Sequence, residues 1–294
     1  MVAKILDGEV FAASIHQETA ARVKKLKARG VAPGLVFIRV GEDPASRAYV
    51  ARKEKRAQEV GIASRTLVLP ESTPLNTLLR EIDALNADPK VHGILIQSPL
   101  PSALPNDSVY ARVSPAKDVD GFHPINFGKL LLGDSTGFLP CTPAGILEIL
   151  RLGKIPTAGK HAVVVGRGQI VGRPLALLLA RKTPGADCTV TLAHSRTADL
   201  PAITQQADIL VGALGRPLFL KKVHIKPGAT VIDVGVNRLV DPASPRGHRL
   251  VGDVDFESVK SVAGAITPNP GCVGPMTIAL LLSNTARAAE DLNR

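Results

Sequence analysis

Residues 163–174 read VVVGRGQIVGRP, and this stretch decides the fold. An apolar run ends at Gly166, and a glycine turn leads directly into an apolar segment, 174–180, that is typical of a helix. Gly166 lets the chain turn sharply, and Gly168 lets the backbone approach a pyrophosphate lying on the N–H groups of the helix start. The G-x-G-x-x-x-G spacing is one residue longer than the usual fingerprint, so the surrounding sequence has to support this interpretation.

Strands alternate with helices on both sides of the turn, which predicts parallel sheets covered on both faces. The predicted helices are 10–29, 45–60, 75–86, 144–151, 174–180, 200–207 and 276–292. The predicted strands are 35–40, 65–69, 93–97, 161–165, 189–193, 208–212, 230–234 and 265–267. We therefore expect a two-domain α/β fold with its active site in the cleft between the domains. The N-terminal domain, 1–140, has a parallel-rich sheet and is completed by the C-terminal helix 276–294, and a Rossmann-like domain covers 141–275.

The composition narrows the class of protein. The chain has 294 residues, of which 45% are hydrophobic and 21% charged, an ordinary globular balance. There is no apolar run long enough to cross a membrane and no signal-peptide layout, and the three cysteines are far apart, so we expect a cytoplasmic protein without disulfides or a metal site. The net charge is +10, but the basic residues are scattered and lack interleaved aromatics. This argues against nucleic acid and leaves either a solvated basic surface or attraction to a multiply anionic small molecule.

The segment after the strand 189–193 indicates which dinucleotide binds. NAD-selective folds place an acidic residue there to bind the ribose hydroxyls. Here the next residues are His194-Ser195-Arg196-Thr197, and the first acid is Asp199. Ser195, Arg196 and the turn residue Arg167 are suited to a 2′-phosphate, so the sequence favours NADP. The alternative is that they are ordinary exposed loop residues.

Three other segments carry candidate chemistry. Tyr49 and Lys53 lie four residues apart on a predicted helix and share one face, an arrangement suited to proton transfer, although such pairs are commonly surface features. KDVDGFHP at 117–124 offers a carboxylate to a heterocycle with paired N–H donors, with His123 as a structural residue. PNPGCVGPMT at 268–277 is either a rigid connector or a wall over a flat ligand.

Taken together, these segments resemble the bifunctional methylenetetrahydrofolate dehydrogenase/cyclohydrolase (FolD) family. The matching motifs run in order along the whole chain. They are PASRAYVARKEK (44–55), GILIQSPLP (93–101), KDVDGFHP (117–124), PCTPAGI (140–146), VVVGRGQIVGRP (163–174), VIDVGVNR (231–238), VGDVDF (251–256) and PNPGCVGPMT (268–277). The resemblance implies NADP-dependent oxidation of 5,10-methylenetetrahydrofolate to the methenyl cation, followed by hydrolysis to 10-formyltetrahydrofolate.

The resemblance also implies residue roles. Lys53 is the key catalytic residue, Tyr49 stacks on or orients the folate, Gln97 tunes the lysine and Asp120 holds the pterin ring. The implied substrate-binding residues are Tyr49, Lys53, Gln97, Ser98, Asp120, Pro270, Gly271 and Gly274. The implied cofactor-binding residues are Thr142, Gly166, Arg167, Gly168, Ser195 and Val236, and Arg196 joins them as a residue suited to the 2′-phosphate.

Three positions depart from the family pattern. Gly168 stands where many relatives have Ser, Cys272 replaces a glycine of the Pro-Gly-Gly loop, and Ser98 stands where Leu is common. None of them removes Lys53 or Gln97, so we expect both activities. A homodimer is expected from the family, and a polyglutamylated folate tail is one hypothesis for the basic surface. The alternatives are a shikimate-dehydrogenase type of enzyme and a non-catalytic nucleotide- or nucleic-acid-binding protein.

Overall fold

The computed structural model describes residues 3–244 and 247–294 and divides the chain into two compact units. We call one the Lys53 unit, which comprises Ala13–Cys141 and Ile278–Arg294. The other is the glycine-turn unit, which comprises the residues up to Ala12 together with Thr142–Thr277. Among the residues that the structure describes, no helix is both long enough and apolar enough to cross a membrane.

In the described residues, strands alternate with helices along most of the chain, as the sequence predicts. The strands are β1 (Lys4–Ile5), β2 (Gly34–Val40), β3 (Ala63–Leu69), β4 (Gly93–Ile96), β5 (His161–Val165), β6 (Thr189–Ala193), β7 (Ile209–Gly212), β8 (Thr230–Asp233), β9 (Asn237–Val240), β10 (His248–Val251) and β11 (Ala265–Ile266). The helices are α1 (Gly8–Ala28), α2 (Pro44–Glu59), α3 (Leu75–Ala87), α4 (Asn106–Arg112), α5 (Pro124–Leu132), α6 (Cys141–Leu152), α7 (Gly172–Leu179), α8 (Leu200–Thr204), α9 (Phe256–Val259) and α10 (Val273–Leu292).

The Lys53 unit is built on a three-stranded parallel sheet in the order β3-β2-β4. The central strand β2, GLVFIRV, is buried at every position, as expected of a parallel strand with helices on both faces. One core contains Phe37 and Leu95 with Leu281 and Leu282 of α10, and a second contains Ile38 with Leu78 and Ile82 of α3. Each fully buried side chain of this size contributes about 1.5–3 kcal/mol, so the sheet is firmly anchored.

The glycine-turn unit is built on a six-stranded sheet in the order β1-β11-β8-β7-β5-β6, and every pair is parallel. The chain leaves β5 for β6 on one side and then returns to β7 on the other side. The carboxyl ends of β5 and β7 therefore flank the point where strand order reverses, which is where α/β sheets bind ligands. These pairings confirm the expected α/β class, with parallel sheets in both units.

The structure differs from the sequence prediction at the N-terminus. Residues 1–140 were expected to form one domain, but β1 pairs with β11 and extends the six-stranded sheet of the other unit. A two-residue strand has no periodicity of its own, so only its tertiary pairing reveals it. The antiparallel hairpin β9–β10 and the helices α4 and α5 were also not predicted.

Candidate active site

Lys53 lies on α2 and is almost completely buried, with only 4% of its surface exposed. The helix begins where Asp43 accepts a hydrogen bond from the Ser46 N–H (2.7 Å) and Pro44 occupies the first turn. One turn before the lysine, Tyr49 presents its ring, and Lys53 Nζ lies 4.4 Å from the ring centroid. The cation–π contact with the ring favours the protonated amine of Lys53. Removal of the amine from water disfavours the same protonated form.

Gln97 follows the end of β4 and is the hydrogen-bond partner of the lysine. Lys53 Nζ donates to Gln97 Oε1 at 3.0 Å. The other end of the amide is also bound, because Gln97 Nε2 donates to the Ser98 carbonyl at 2.7 Å. The backbone N–H of Gln97 donates to Ile38 on β2 (2.8 Å), which ties this residue to the sheet. The amide oxygen is therefore held toward the lysine rather than free to rotate.

Two residues of the KDVDG segment, Asp118 and Lys117, stabilise the loop itself. Asp118 accepts hydrogen bonds from the backbone N–H groups of Phe122 (3.1 Å) and His123 (2.8 Å) and from Asn126 Nδ2 (2.8 Å), so it organises the loop. Lys117 is also structural, since its ammonium donates to the carbonyls of Leu85, Asn86 and Asp88 near the end of α3.

His123 is structural as well, as the sequence analysis expected. Its Nδ1 accepts from the Ile125 N–H (3.0 Å) at the start of α5, and its Nε2 lies 3.1 Å from the Ala111 carbonyl oxygen. Both ring nitrogens are therefore occupied by backbone partners, with Nε2–H as the donor. The ring caps a helix and is not available for proton transfer.

Asp120 completes the titratable cluster around Lys53. Burial lowers the pKa of Lys53, and the nearby Asp120 carboxyl and Cys141 thiol oppose that effect only in part. Burial raises the pKa of Asp120, against the stabilising charge of Lys53. Burial and the Asp120 carboxyl raise the pKa of the Cys141 thiol well above its ordinary value, so that the thiol stays protonated. Pairs of groups whose pKa values are shifted in this way are typical of active sites.

Ser98 has its side chain engaged within the protein. Its hydroxyl lies 2.6 Å from the Tyr110 hydroxyl, and burial raises the pKa of that phenol. The Ser98–Pro99 peptide bond is cis, and the Ser98 carbonyl accepts from Gln97 and from Ser46 Oγ (3.4 Å). The polar residue at this position is therefore matched by a polar partner, Tyr110.

The glycine turn between β5 and α7 has the open geometry that a dinucleotide needs. Gly166 has φ = 126°, and a Cβ there would overlap the Ala213 carbonyl oxygen. A Cβ on Gly172 would overlap the Gly166 carbonyl in the same way. In contrast, a Cβ on Gly168 would meet no atom within 4 Å, so the middle of the turn is exposed to an approaching ligand. Arg167 is exposed beside it.

The turn after β6 presents polar side chains at the next strand end. It is closed by the His194 N–H donating to Thr197 Oγ1 (2.9 Å) and the Arg196 N–H donating to His194 Nδ1 (3.1 Å). Ser195 and Arg196 lie on the turn with exposed side chains. The first acid, Asp199, accepts from the Ala202 N–H (3.3 Å) and caps α8. This arrangement fits a 2′-phosphate better than a pair of ribose hydroxyls.

The remaining predicted residues all belong to the glycine-turn unit. The Thr142 hydroxyl lies 3.0 Å from that of Thr277, and Val236 is 75% exposed. Pro270 follows a cis peptide bond, Gly271 has φ = 127°, and Gly274 has open space around its Cβ position. Their roles toward cofactor and folate stay predictions.

The predicted catalytic residues, by contrast, share the Lys53 unit. Tyr49, Lys53, Gln97 and Asp120 come from a helix, a strand end and a loop that lie far apart in sequence, and Ser98 adjoins them. Among the described residues there is no group of three or more His, Cys, Asp or Glu side chains that could hold a metal ion.

Two family models match the chain. "Tetrahydrofolate dehydrogenase/cyclohydrolase, catalytic domain" covers residues 6–120, and "Tetrahydrofolate dehydrogenase/cyclohydrolase, NAD(P)-binding domain" covers residues 140–293. The chain belongs to this family. The bifunctional protein FolD 1 of Myxococcus xanthus is 52% identical over 98% of both chains, and FolD of Prosthecochloris aestuarii is 52% identical over 97% of both.

Solved structures of the tetrahydrofolate dehydrogenase/cyclohydrolase family agree with this assignment. FolD of Campylobacter jejuni is 44% identical, with a TM-score of 0.92 over 98% of this chain and 99% of that one. The Trypanosoma brucei enzyme, complexed with NADP cofactor and inhibitor, is 37% identical, with a TM-score of 0.94 over 100% of this chain and 99% of that one.

Sequence reasoning missed one group beside the lysine. Cys141 was considered only as a disulfide or metal residue, but its thiol donates to the Val119 carbonyl (3.2 Å) and lies against Asp120. Its place in the PCTPAGI motif was the available signal. Cys272, the departure in the Pro-Gly loop, is buried, and burial raises the pKa of its thiol to about 12, so the thiol stays protonated at neutral pH.

Proposed function

We propose that this chain is a bifunctional enzyme of one-carbon metabolism. It oxidises 5,10-methylenetetrahydrofolate with NADP to 5,10-methenyltetrahydrofolate and hydrolyses that cation to 10-formyltetrahydrofolate. The observation that carries the proposal is the buried Lys53, which is bound by Gln97 and Tyr49 and lies near Asp120, in a chain whose residues 6–120 and 140–293 match this family. Burying a lysine costs free energy and lowers its pKa, and a lysine with a lowered pKa can transfer protons near neutral pH.

Lys53 acts in the hydrolytic step. The methenyl carbon is electron-poor, and water attacks it once a base accepts a proton from that water. An ordinary lysine is almost fully protonated at neutral pH, whereas burial lowers the pKa of Lys53 and raises the fraction of neutral amine. Gln97 holds Nζ in place, so the amine meets the water in a fixed geometry. Proton transfer by a positioned group of this kind accelerates a reaction by about 10²–10⁴-fold.

Asp120 and Tyr49 bind the folate. A pterin ring offers adjacent N–H donors, and the half-buried carboxyl of Asp120 accepts them, while the Tyr49 ring provides a stacking face. Ser98 belongs to the same binding surface, and Pro270, Gly271 and Gly274 are further folate contacts that the family resemblance implies. Because Asp118 is buried and both of its oxygens accept hydrogen bonds inside the loop, Asp120 is the carboxylate of the KDVDG segment that remains for a ligand.

The residues of the glycine-turn unit fit NADP. When bound, NADP supplies the hydride acceptor of the oxidative step. Gly166, Arg167 and Gly168 hold the pyrophosphate at the start of α7, and Ser195 with Arg196 hold the 2′-phosphate. Thr142 and Val236, the latter through its backbone, complete the predicted contacts. No atom lies within 4 Å of the Cβ position of Gly168, so the pyrophosphate has room to lie close to the backbone there.

The setting of the enzyme is also part of the proposal. We expect a homodimer in the cytoplasm that acts on tetrahydrofolate derivatives, including polyglutamylated forms, and supplies formyl groups for purine biosynthesis. We expect no nucleic-acid or membrane partner. The alternatives of a shikimate-dehydrogenase type or a non-catalytic nucleotide-binding protein lose their support because the family models cover residues 6–120 and 140–293.

An absorbance assay on the purified protein tests the proposal. With 5,10-methylenetetrahydrofolate and NADP, the methenyl product and NADPH should form, and methenyltetrahydrofolate supplied without cofactor should be hydrolysed. NADP should be preferred to NAD by about tenfold or more, since the Ser195-Arg196 turn binds the 2′-phosphate, which NAD lacks. Absence of both reactions would overturn the assignment, and a preference for NAD would overturn the role of this turn.

A further inference from the structure

The order of strands in the glycine-turn unit divides the cofactor crevice into two sides. β5 lies between β6 and β7, so the loops that follow these three strands lie side by side at one edge of the sheet. The β6 side carries Ser195 and Arg196, and the β5 turn carries Gly166 and Gly168. The loop after β7, residues 213–216, forms the opposite side. It packs directly against the β5 turn, since a Cβ on Gly166 would overlap the Ala213 carbonyl oxygen.

This third loop is wrapped around the carboxylate of Asp253, which is completely buried. Asp253 Oδ2 accepts from the backbone N–H groups of Leu214 (2.6 Å) and Gly215 (3.0 Å). Asp253 Oδ1 accepts from the backbone N–H of Arg216 (2.8 Å) and from Asn237 Nδ2 (2.9 Å). Both oxygens thus accept two hydrogen bonds, and three consecutive N–H groups of the loop converge on one side chain. Such charge-assisted bonds are about twice as strong as neutral ones.

A second carboxylate holds Asp253 itself. Asp233, at the end of β8, accepts from the N–H groups of Gly235 (3.0 Å), Asp253 (2.9 Å) and Val254 (3.1 Å). The packing is so close that a Cβ on Gly235 would overlap the Asp253 carboxyl, and one on Gly252 would overlap that of Asp233. The loop after β7 is therefore fixed from behind by a rigid, glycine-lined support.

We propose that Asp253 is a positioning residue for the cofactor. It fixes residues 214–216 as the wall of the crevice that receives the nicotinamide half, across β5 from the residues assigned to the 2′-phosphate. Because the N–H groups of the loop are bound to Asp253, the loop offers no backbone donors to an anion, and the pyrophosphate goes to the β5 turn. This inference rests on the proposed function, since it assumes that the dinucleotide is NADP.

Asp253→Asn tests the proposal by exchanging one carboxylate oxygen for an NH₂ group. In either orientation the amide keeps one oxygen and turns an NH₂ group toward at least one backbone N–H donor, so up to two of the four hydrogen bonds are lost and donors face each other. The matched control is Asp255→Asn, two residues away, where the side chain only caps α9 by accepting from the Ser258 N–H (3.4 Å). Asn and Asp cap helices about equally well, so this control should behave as wild type.

Binding of two ligands, NADP and adenosine 2′,5′-bisphosphate, distinguishes loss of the positioning role from general disruption of the fold. By titration calorimetry, Asp253→Asn should raise the Kd for NADP by about tenfold or more, because the wall on the nicotinamide side is loosened. Its Kd for adenosine 2′,5′-bisphosphate, which lacks the nicotinamide half, should stay within about twofold of wild type. Equal weakening of both ligands, or no weakening of NADP, would overturn the proposal.

A milder variant keeps the test usable if Asp253→Asn does not fold. Asn237→Ala removes one donor from Oδ1 at a half-buried position and should raise the Kd for NADP by about threefold, again with little change for adenosine 2′,5′-bisphosphate. An unchanged Kd for NADP in a folded Asn237→Ala protein would then count against the proposal. Failure of the proposed function looks different, because wild-type protein would then bind neither ligand.

Discussion

At the residue scale, the two aspartates of KDVDG illustrate how far sequence reasoning reaches. The motif shows two carboxylates, and only the resemblance to the family assigned the second one to the pterin. The structure supplies a physical reason, because both oxygens of Asp118 accept hydrogen bonds from Phe122, His123 and Asn126, whereas Asp120 lies near Lys53 and Cys141. Residue spacing does not show which hydrogen bonds form when a loop folds, so the sequence alone does not distinguish the two carboxylates.

The pH dependence of hydrolysis provides a test of the Lys53–Gln97 contact. If the neutral amine of Lys53 is the base, the rate rises with pH through a pKa below that of ordinary lysine. Gln97→Glu places a carboxylate 3.0 Å from Nζ, which favours the ammonium and raises the pKa of Lys53. The rising limb of the pH–rate profile should therefore move to higher pH by about one unit.

The control for this shift is Gln58→Glu, which adds the same charge at an exposed position of α2. Its profile should match that of wild type, because exposed charges are screened by water and salt. A Gln97→Glu profile that stays in place or moves to lower pH would show that Lys53 is not the titrating base.

At the element scale, segments with a clear apolar pattern bounded by turn residues were predictable, and segments without such a pattern were not. The strands 161–165 and 189–193 were predicted at their observed bounds, and α2, α3 and α7 within two residues of theirs. These elements have uninterrupted apolar runs or helical periodicity bounded by turn residues. β9 and β10 have only four residues each and half-exposed faces, so their pairing depends on register across the turn rather than on local pattern.

The glycine turn allows a paired test at this scale. Gly166→Ser should lower the free energy of unfolding by about 2 kcal/mol or more and abolish NADP binding, because the side chain overlaps the Ala213 carbonyl and φ is positive. Gly168→Ser should leave the unfolding transition unchanged, since the Cβ position is open. It should also strengthen NADP binding by about threefold by restoring a hydroxyl donor.

Thermal unfolding and calorimetric titration of both variants check this prediction. The two substitutions are chemically identical and two residues apart, so each is the control for the other. Equal destabilisation by both would contradict the geometry described for the turn.

At the scale of the whole molecule, the alternation of strands and helices predicts the α/β class but not which segments join which sheet. β1 joins the six-stranded sheet by pairing with β11, and these strands are separated by nearly the whole chain. The last helix, α10, which the sequence analysis assigned to the N-terminal domain, contributes Leu281 and Leu282 to the core that contains Phe37. The pairing of β1 with β11 depends on tertiary packing, which leaves no periodic signal in either strand.

The net charge leads to a prediction about the substrate. With a formal charge of +10, the protein should bind a folate with a longer polyglutamate tail more tightly, by about threefold to tenfold at low salt. The advantage should shrink as salt is added, because exposed charges are screened over about 10 Å at 0.1 M ionic strength. Monoglutamate folate provides the comparison, and equal affinities at low salt would contradict a role for the basic surface.

The most direct test of the account is hydrolysis of methenyltetrahydrofolate by Lys53→Met, compared with wild type in the absence of NADP. Met fills nearly the same volume without the amine, and the thermal transition should show a folded protein. We predict that hydrolysis falls by about 10²-fold or more, because the proton acceptor held by Gln97 is gone. Hydrolysis at the wild-type rate by the folded variant would contradict the central role of Lys53.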